Sequence, residues 1–169
     1  MATVRQYLAP EEAQYLASAF PQFVKTNGTN FPVSGLAYDA TTAENAFWKW
    51  EPTAYGSGNI TCEVVWYADT STTSTHGVTW QAAIAAITPG TDTTNVETKA
   101  FVTAQQASTD LGSADAQKLL KTTITISNLD SIAAGDEVWL RITRVVADAN
   151  DDLTGDAILT SVRLSYSDT

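Results

Sequence analysis

The sequence predicts an all-β fold: two antiparallel sheets packed as a sandwich of about eight strands, preceded by a short N-terminal arm with a small helix. Three observations carry this. The chain is 44% hydrophobic but only 17% charged, so Thr, Ser, Asn and Gln supply most of its polarity, a composition suited to strands and turns. Period-two alternation of apolar and polar residues recurs along its length. No helical pattern of ~10–15 residues separates the alternating segments, which excludes parallel βαβ folds.

Residues 1–35 differ from the rest. "APEEAQYLASAF" reads as a short helix with Pro10 at its start, Glu11 and Glu12 in the first turn, and Phe20-Pro21 as its stop. Its apolar stripe is Tyr15, Leu16 and Phe20. The following "PQFVKTNGTNFPVSG" is broken by prolines and by the turn signal Asn27-Gly28. The segment therefore reads as an arm lying against something, either its own domain or a neighbouring subunit. Its contact candidates are Tyr7, Leu8, Tyr15, Leu16, Phe20 and Phe23.

From residue 36 to 169 the pattern is strand and turn. Strands are expected at 36–39, 46–51, 59–68, 77–88, 99–105, 119–127, 136–146 and 157–167. The clusters "YGSG", "DTSTTSTHG", "TPGTDTTN", "STDLGSAD", "NLDSIAAG" and "DANDDLTG" separate them as turns. In "KTTITISNL", Ile124 and Ile126 oppose Thr123 and Thr125. In "DEVWLRITRVV", Val138, Leu140 and Ile142 oppose Trp139, Arg141 and Thr143. In "AILTSVRLSY", Ile158, Val162, Leu164 and Tyr166 follow one another, with Thr160 interrupting the apolar set. "QAAIAAITPG" has helical propensity, but "GVTW" leads into it without a cap, so it reads as strand.

Nineteen acidic against nine basic residues give a net charge of −10, and no basic cluster is visible, so nucleic acid and anionic membrane are rejected as partners. No apolar run approaches the ~20 residues of a membrane span. "MATVRQYLAPEE" lacks the pattern of a signal peptide. Cys62 stands alone, which excludes an intrachain disulfide, and its place in "NITCEVVWYAD" reads as a small buried residue. One histidine, His76, and one cysteine do not make a Cys/His zinc site, and no nucleophile or phosphate-loop motif occurs. The chain is expected to be non-enzymatic and without a cofactor.

Two constellations remain. In "DANDDLTGD", Asp148, Asn150 and Asp152 match the opening of a calcium loop, but Leu153 stands where that loop needs Gly and Leu159 where it needs Glu. A solvated turn is the better reading. In "NAFWKWEPTAYG", Trp48 and Trp50 share one face, and Phe47, Lys49 and Glu51 the other. Core is the favoured reading for the two Trp, over a carbohydrate platform or a subunit interface, and Trp66, Trp80 and Trp139 also fall in strands. Tyr55 is the aromatic of this stretch left to face a partner.

The succession "GLAYDATTAENAFWKWEPTAYGSGNITCEVVWYAD", "VTWQAAIAAITPG", "KLLKTTITISNLDSIAAGDEVWLRITRVVAD" and "TGDAILTSVRLSYSDT" resembles a small β-sandwich domain of bacteriophage virion proteins. "AAGDEVWLRITR" and "TGDAILTSVRLSY" resemble the last two strands of decoration, head-fibre and tail-fibre domains. The resemblance implies a jelly roll, commonly trimeric, with no catalytic residues. It also implies a place in the virion, with a second copy and a major capsid or other virion protein as partners. The leading expectation is therefore a capsid decoration (cement) protein anchored through residues 1–35. The alternative is a tail or fibre module that binds host surface carbohydrate. A non-viral carbohydrate-binding module is a third reading, which the lack of a secretion signal and of a fused catalytic domain argues against.

Overall fold

Strand alternation divides the residues of each sheet between an inner and an outer face, and the packing follows that division. The computed structural model describes residues 2–70, 76–112 and 117–169. Among these, ten strands form two antiparallel sheets: β1 Thr3–Leu8, β2 Gln22–Asn27, β3 Pro32–Tyr38, β4 Asn45–Trp50, β5 Ile60–Ala68, β6 Gly77–Ile87, β7 Gln105–Asp110, β8 Leu120–Ile126, β9 Glu137–Arg144 and β10 Ala157–Ser167. The first sheet runs β2-β3-β10-β5-β8 and the second β4-β9-β6-β7. One edge of β10 is shared: Ala157–Leu159 pair with β3, and Val162–Ser167 pair with β1. The fold is the jelly-roll sandwich that was expected.

The N-terminal segment departs from expectation. The segment expected to lie against its own domain or a neighbouring subunit supplies β1 and β2 to the first sheet, and β3 crosses the expected boundary at residue 35. Of the expected helix only a 3-10 turn forms, at Pro10–Glu12, with no side-chain cap at Ala9. A short apolar stripe does not offset helix nucleation, and the backbone of this segment finds a better partner. Gln14 exchanges two hydrogen bonds with Phe47 (2.7 and 3.0 Å), and Asn45 N donates to Ala19 O, so residues 13–19 flank the edge of β4.

The strand expected at 99–105 is irregular chain beside β6, held by Val102 N donating to Ile84 O, and the strand β7 begins only at Gln105. Parts of the turns expected at 69–77 and 108–115 lie outside the described residues. "QAAIAAI" is strand as expected. Ala82, Ile84 and Ala86 pack in the core between the sheets, and tertiary pairing overrides helical propensity. The interruption at Thr160 marks a β-bulge between Leu159 and Ser161 in the β10–β5 register. The bulge switches parity. Leu159 faces the core before it and Val162, Leu164 and Tyr166 after it, so Ile158 packs instead with Ala37 and Tyr67 in a separate apolar cluster.

Tryptophans fill the core. Trp48, Trp66 and Trp80 are buried, with Trp80 edge-on to Tyr38 (4.9 Å, 87°). Most of their polar atoms find partners, as burial favours: Trp48 Nε1 donates to Ala9 O (2.8 Å), Trp66 Nε1 to Thr122 Oγ1 (3.0 Å) and the Tyr38 hydroxyl to Ile142 O (3.2 Å), whereas Trp50 Nε1 and Trp80 Nε1 are buried without a partner among the described residues. Trp50 is also inside, against Tyr166, so the core reading of Trp48 and Trp50 holds.

Arg144, the last residue of β9, is completely buried. Its Nε and Nη2 donate to the Asp151 carboxylate (2.8–3.1 Å), Nη2 also to Leu153 O (2.6 Å), and Nη1 to Gly155 O (2.9 Å) and Tyr38 O (3.3 Å). The guanidinium is satisfied on every side, the condition under which a buried charge is tolerated. Nearby, Asp39 Oδ1 accepts from Thr41 N, Thr41 Oγ1 and Thr42 N, each at 2.7 Å, which pulls its carboxyl down to about 2.

Arg144→Ala leaves Asp151 buried and unpaired, at a cost of about 3–5 kcal/mol; for a chain of this size the thermal midpoint falls by roughly 6–20 °C. The double variant Arg144→Met/Asp151→Leu regains most of that loss, because it leaves no orphan charge. Asp39 has a folded value below its ordinary 3.8, so its contribution to stability is complete above that pH and is lost as pH falls toward about 2. Carboxyl NMR should show its midpoint at about 2, rising toward 3.8 in Thr41→Ala; a wild-type midpoint near 3.8 would contradict this account.

Candidate functional site

The outer face of the second sheet carries the aromatics that the core leaves out. Because Trp48 and Trp50 point inward, Phe47, next to Trp48, points outward. On β9 the same alternation turns Trp139 and Arg141 outward, opposite Val138, Leu140 and Ile142. Phe47 lies directly across from Arg141, and Trp139 lies between Lys49 of β4 and Ala85 of β6. Ala83 and Ala85 keep β6 low, and the chain after β6 lies over it. There the Phe101 ring packs on Phe47 (5.8 Å between centroids, 44°), and the Arg141 guanidinium stands 5.0 Å from the centre of the Phe101 ring.

The result is an open groove of about 410 Å³. Residues 14–16 form one wall with Gln14, Tyr15 and Leu16, residues 96–101 the other with Val96, Glu97, Lys99 and Phe101, and Phe47, Ala85 and Trp139 the floor. Asp130 braces the second wall. From a left-handed turn position (φ +50°), which Asp tolerates, its Oδ2 accepts from Ala86 N (2.8 Å) and pairs with Lys99 Nζ (2.9 Å). Arg141 Nε is buried without a partner, and desolvation lowers the guanidinium's affinity for its proton. The groove thus offers flat apolar rings beside an amide, a carboxylate and an ammonium group. Such a set is chemically suited to a ring-shaped, hydroxyl-rich molecule.

The candidates named from the sequence separate. Tyr15 and Leu16 lie on the groove, and Phe20 packs on Tyr15 (5.5 Å). Leu8 is core, Phe23 lies on the edge strand β2, and Tyr7 is on the outer face of the opposite sheet. Tyr55 does not stand free: half-buried, it packs on Tyr166 (5.6 Å) and donates its hydroxyl to Gly58 O (2.6 Å). In the acidic loop, Asp148 Oδ1 accepts from the Asn150 backbone and side chain (2.9 Å each), and its Oδ2 from Gln106. Asp152 Oδ1 accepts from Gly77 N (2.6 Å), and Oδ2 is 3.3 Å from His76 Nδ1. The loop is an exposed turn at Ala149, Asn150 and Asp152, tied inward by these bonds and by the buried Asp151 carboxylate. No group of three His, Cys, Asp or Glu is placed to hold a metal ion among the described residues.

Sequence reasoning missed Phe47, Phe101 and Trp139 as a group. For Phe47 and Trp139 the signal was present, since alternation opposes each to a core set. For Phe101 it was not, because it falls on a segment read as strand.

No family model matches this sequence, and no curated protein does either. Solved structures do. A native family 35 carbohydrate binding module from Clostridium thermocellum is similar with a TM-score of 0.50 at 15% identity, over 95% of this chain and 97% of that one. The chain shares its fold with a carbohydrate-binding module. Looser likeness extends to the CBM35 of Cellvibrio japonicus Abf62 (TM-score 0.46, 10% identity, 95% and 92% of the two chains). It extends also to a family 11 module from C. thermocellum, solved in complex with a β-1,3-1,4-mixed-linked tetrasaccharide (0.46, 10%, 95% and 87%).

Cys62 is buried between the sheets, and desolvation pushes its thiol up to about 12. The folded protein should therefore leave Ellman's reagent unreacted at pH 8, and one thiol should appear in guanidinium. Rapid reaction of the native protein would contradict this burial.

Proposed function

We propose that the protein is a non-catalytic module that binds carbohydrate in the groove on the outer face of its second sheet. One observation carries the reading: Tyr15, Phe47, Phe101 and Trp139, from four separate stretches of chain, converge on one open groove with Gln14, Glu97 and Lys99 at its rim. Sugar rings present apolar C–H faces that stack on aromatic rings and hydroxyls that need donors and acceptors, and this lining supplies both. The fold shared with the C. thermocellum module supports the reading. The titratable groups in the groove are Tyr15, Glu97 and Lys99, with no thiol or imidazole beside them. Capsid decoration, the leading expectation from the sequence, gains no support from the site.

The test is affinity electrophoresis against soluble xylan, mannan, mixed-linkage β-glucan and xyloglucan, followed by titration of whichever retards the protein. One ring face, roughly 60 Å² or about a third of what an aromatic side chain buries, contributes about 1.5 kcal/mol at ~25 cal/mol per Å². Trp139→Ala and Phe101→Ala should therefore each weaken binding about tenfold. Asp130→Ala, which touches no ligand, should weaken it by releasing the Lys99 wall. Retention on every polysaccharide that is unchanged in these variants, or no retention at all, would overturn the assignment.

A further inference from the structure

The outer face of the first sheet holds a second concavity, of about 550 Å³, lined by Arg5, Tyr7, Glu63, Lys121, Arg163 and Ser165 among others. Register places these side chains together. Tyr7 of β1 lies opposite Arg163 of β10, which lies opposite Glu63 of β5, while Arg5 lies opposite Ser165. Lys121 of β8 reaches over to Glu63 (2.6 Å).

Charge makes this grouping unexpected. Carboxylates outnumber basic side chains nineteen to nine in this chain. Arg144, Lys49, Lys99 and Lys121 each stand in an ion pair, and Arg141 stands over Phe101. Arg5 and Arg163, by contrast, have neither an ion pair nor a side-chain hydrogen bond among the described residues, and both are exposed. They occupy diagonal positions on neighbouring strands, where like charges repel. Glu63, the acid opposite Arg163 on β5, is already engaged by Lys121. Two unpaired guanidinium groups converge there in a molecule of net charge −10.

Beside them Tyr7, 61% exposed, is shared with an adjoining groove of about 630 Å³ whose apolar lining includes Phe31, Val33, Tyr67 and Leu119. Guanidinium groups recognise carboxylates with paired, directional hydrogen bonds. The phenol ring supplies a stacking face for whatever carries the carboxylate. We infer that this face is a second carbohydrate site, specific for a carboxylate-bearing sugar, in which Arg5 and Arg163 take the carboxylate and Tyr7 the ring. The inference rests on the reading of the protein as a carbohydrate-binding module but uses a different sheet and different residues.

The test is calorimetric titration of the whole protein with trigalacturonate, its methyl ester and 3′-sialyllactose, at low and high salt. At least one of the two acids should bind, with an affinity that falls as salt rises, and the methyl ester should bind at least tenfold more weakly than trigalacturonate if that is the acid bound. Arg5→Gln/Arg163→Gln should lose acid binding at least tenfold while keeping the wild-type thermal midpoint and wild-type retention on neutral polysaccharide. Trp139→Ala should leave acid binding unchanged. Failure of both acids to bind, equal binding of the ester, or an unchanged double variant would overturn the inference. Hexaglutamate binding as tightly as the sugars would overturn it in favour of an acidic peptide surface. Loss of neutral binding in Trp139→Ala alongside no acid binding would leave the groove assignment standing and remove only this one.

Discussion

Arg144 is the constraint on which the rest of the sandwich depends. It ends β9 in the second sheet, yet its guanidinium binds carbonyls of the β9–β10 connection and of Tyr38, the last residue of β3 in the first. One side chain thus joins the sheets across one end and fixes where β10 starts. β10 is the strand that β1, β3 and β5 all pair with, so an error in its start would propagate through the first sheet. A buried charge adds little net stability, but it penalises every arrangement that leaves it unsatisfied. The acidic connection around Asp151 is the cost of that specificity.

The same alternation that builds the core builds both outer faces. Each inward Trp on β4 forces an outward neighbour, and the apolar set of β9 forces Trp139 and Arg141 out. On the second sheet these outward residues are aromatic. They remain accessible because β6 contributes only Ala83 and Ala85 beneath the chain that follows it. The groove is a by-product of small residues on one strand and large ones on the next two. On the first sheet the outward residues are polar and charged, with Tyr7 at the junction between charged and apolar halves.

The N-terminal residues show how one segment serves both layers. β1 pairs with β10 in the first sheet, Leu8 and Pro10 are buried, and Ala9 O accepts from Trp48 of the second. Residues 13–19 then complete the edge of β4. Tyr15 and Phe20, which with Leu16 read as a helical stripe, instead build and back a wall of the groove. Local periodicity suggested a helix because Tyr15, Leu16 and Phe20 fit its spacing. The edge of β4 offered hydrogen bonds that a short isolated helix could not match.

By itself, the sequence determined the fold class, the inward faces of β4, β8 and β9, the burial of Cys62, and the strand nature of "QAAIAAI". Most follow from period-two alternation against a two-layer core, a property local to the strand, and the strand at "QAAIAAI" from the uncapped run of "GVTW" into it. It carried the bulge at Thr160 as an unexplained break, because parity is visible in sequence and pairing is not. Only the tertiary structure decided that β1, β2 and the start of β3 belong to the sandwich, that Asp151 holds Arg144, and that four aromatics share one groove. Those are relations between positions seven, 54 or more than a hundred residues apart, or a choice between an isolated helix and an available sheet edge. No local pattern encodes them, because the energy that settles them belongs to the partner strand.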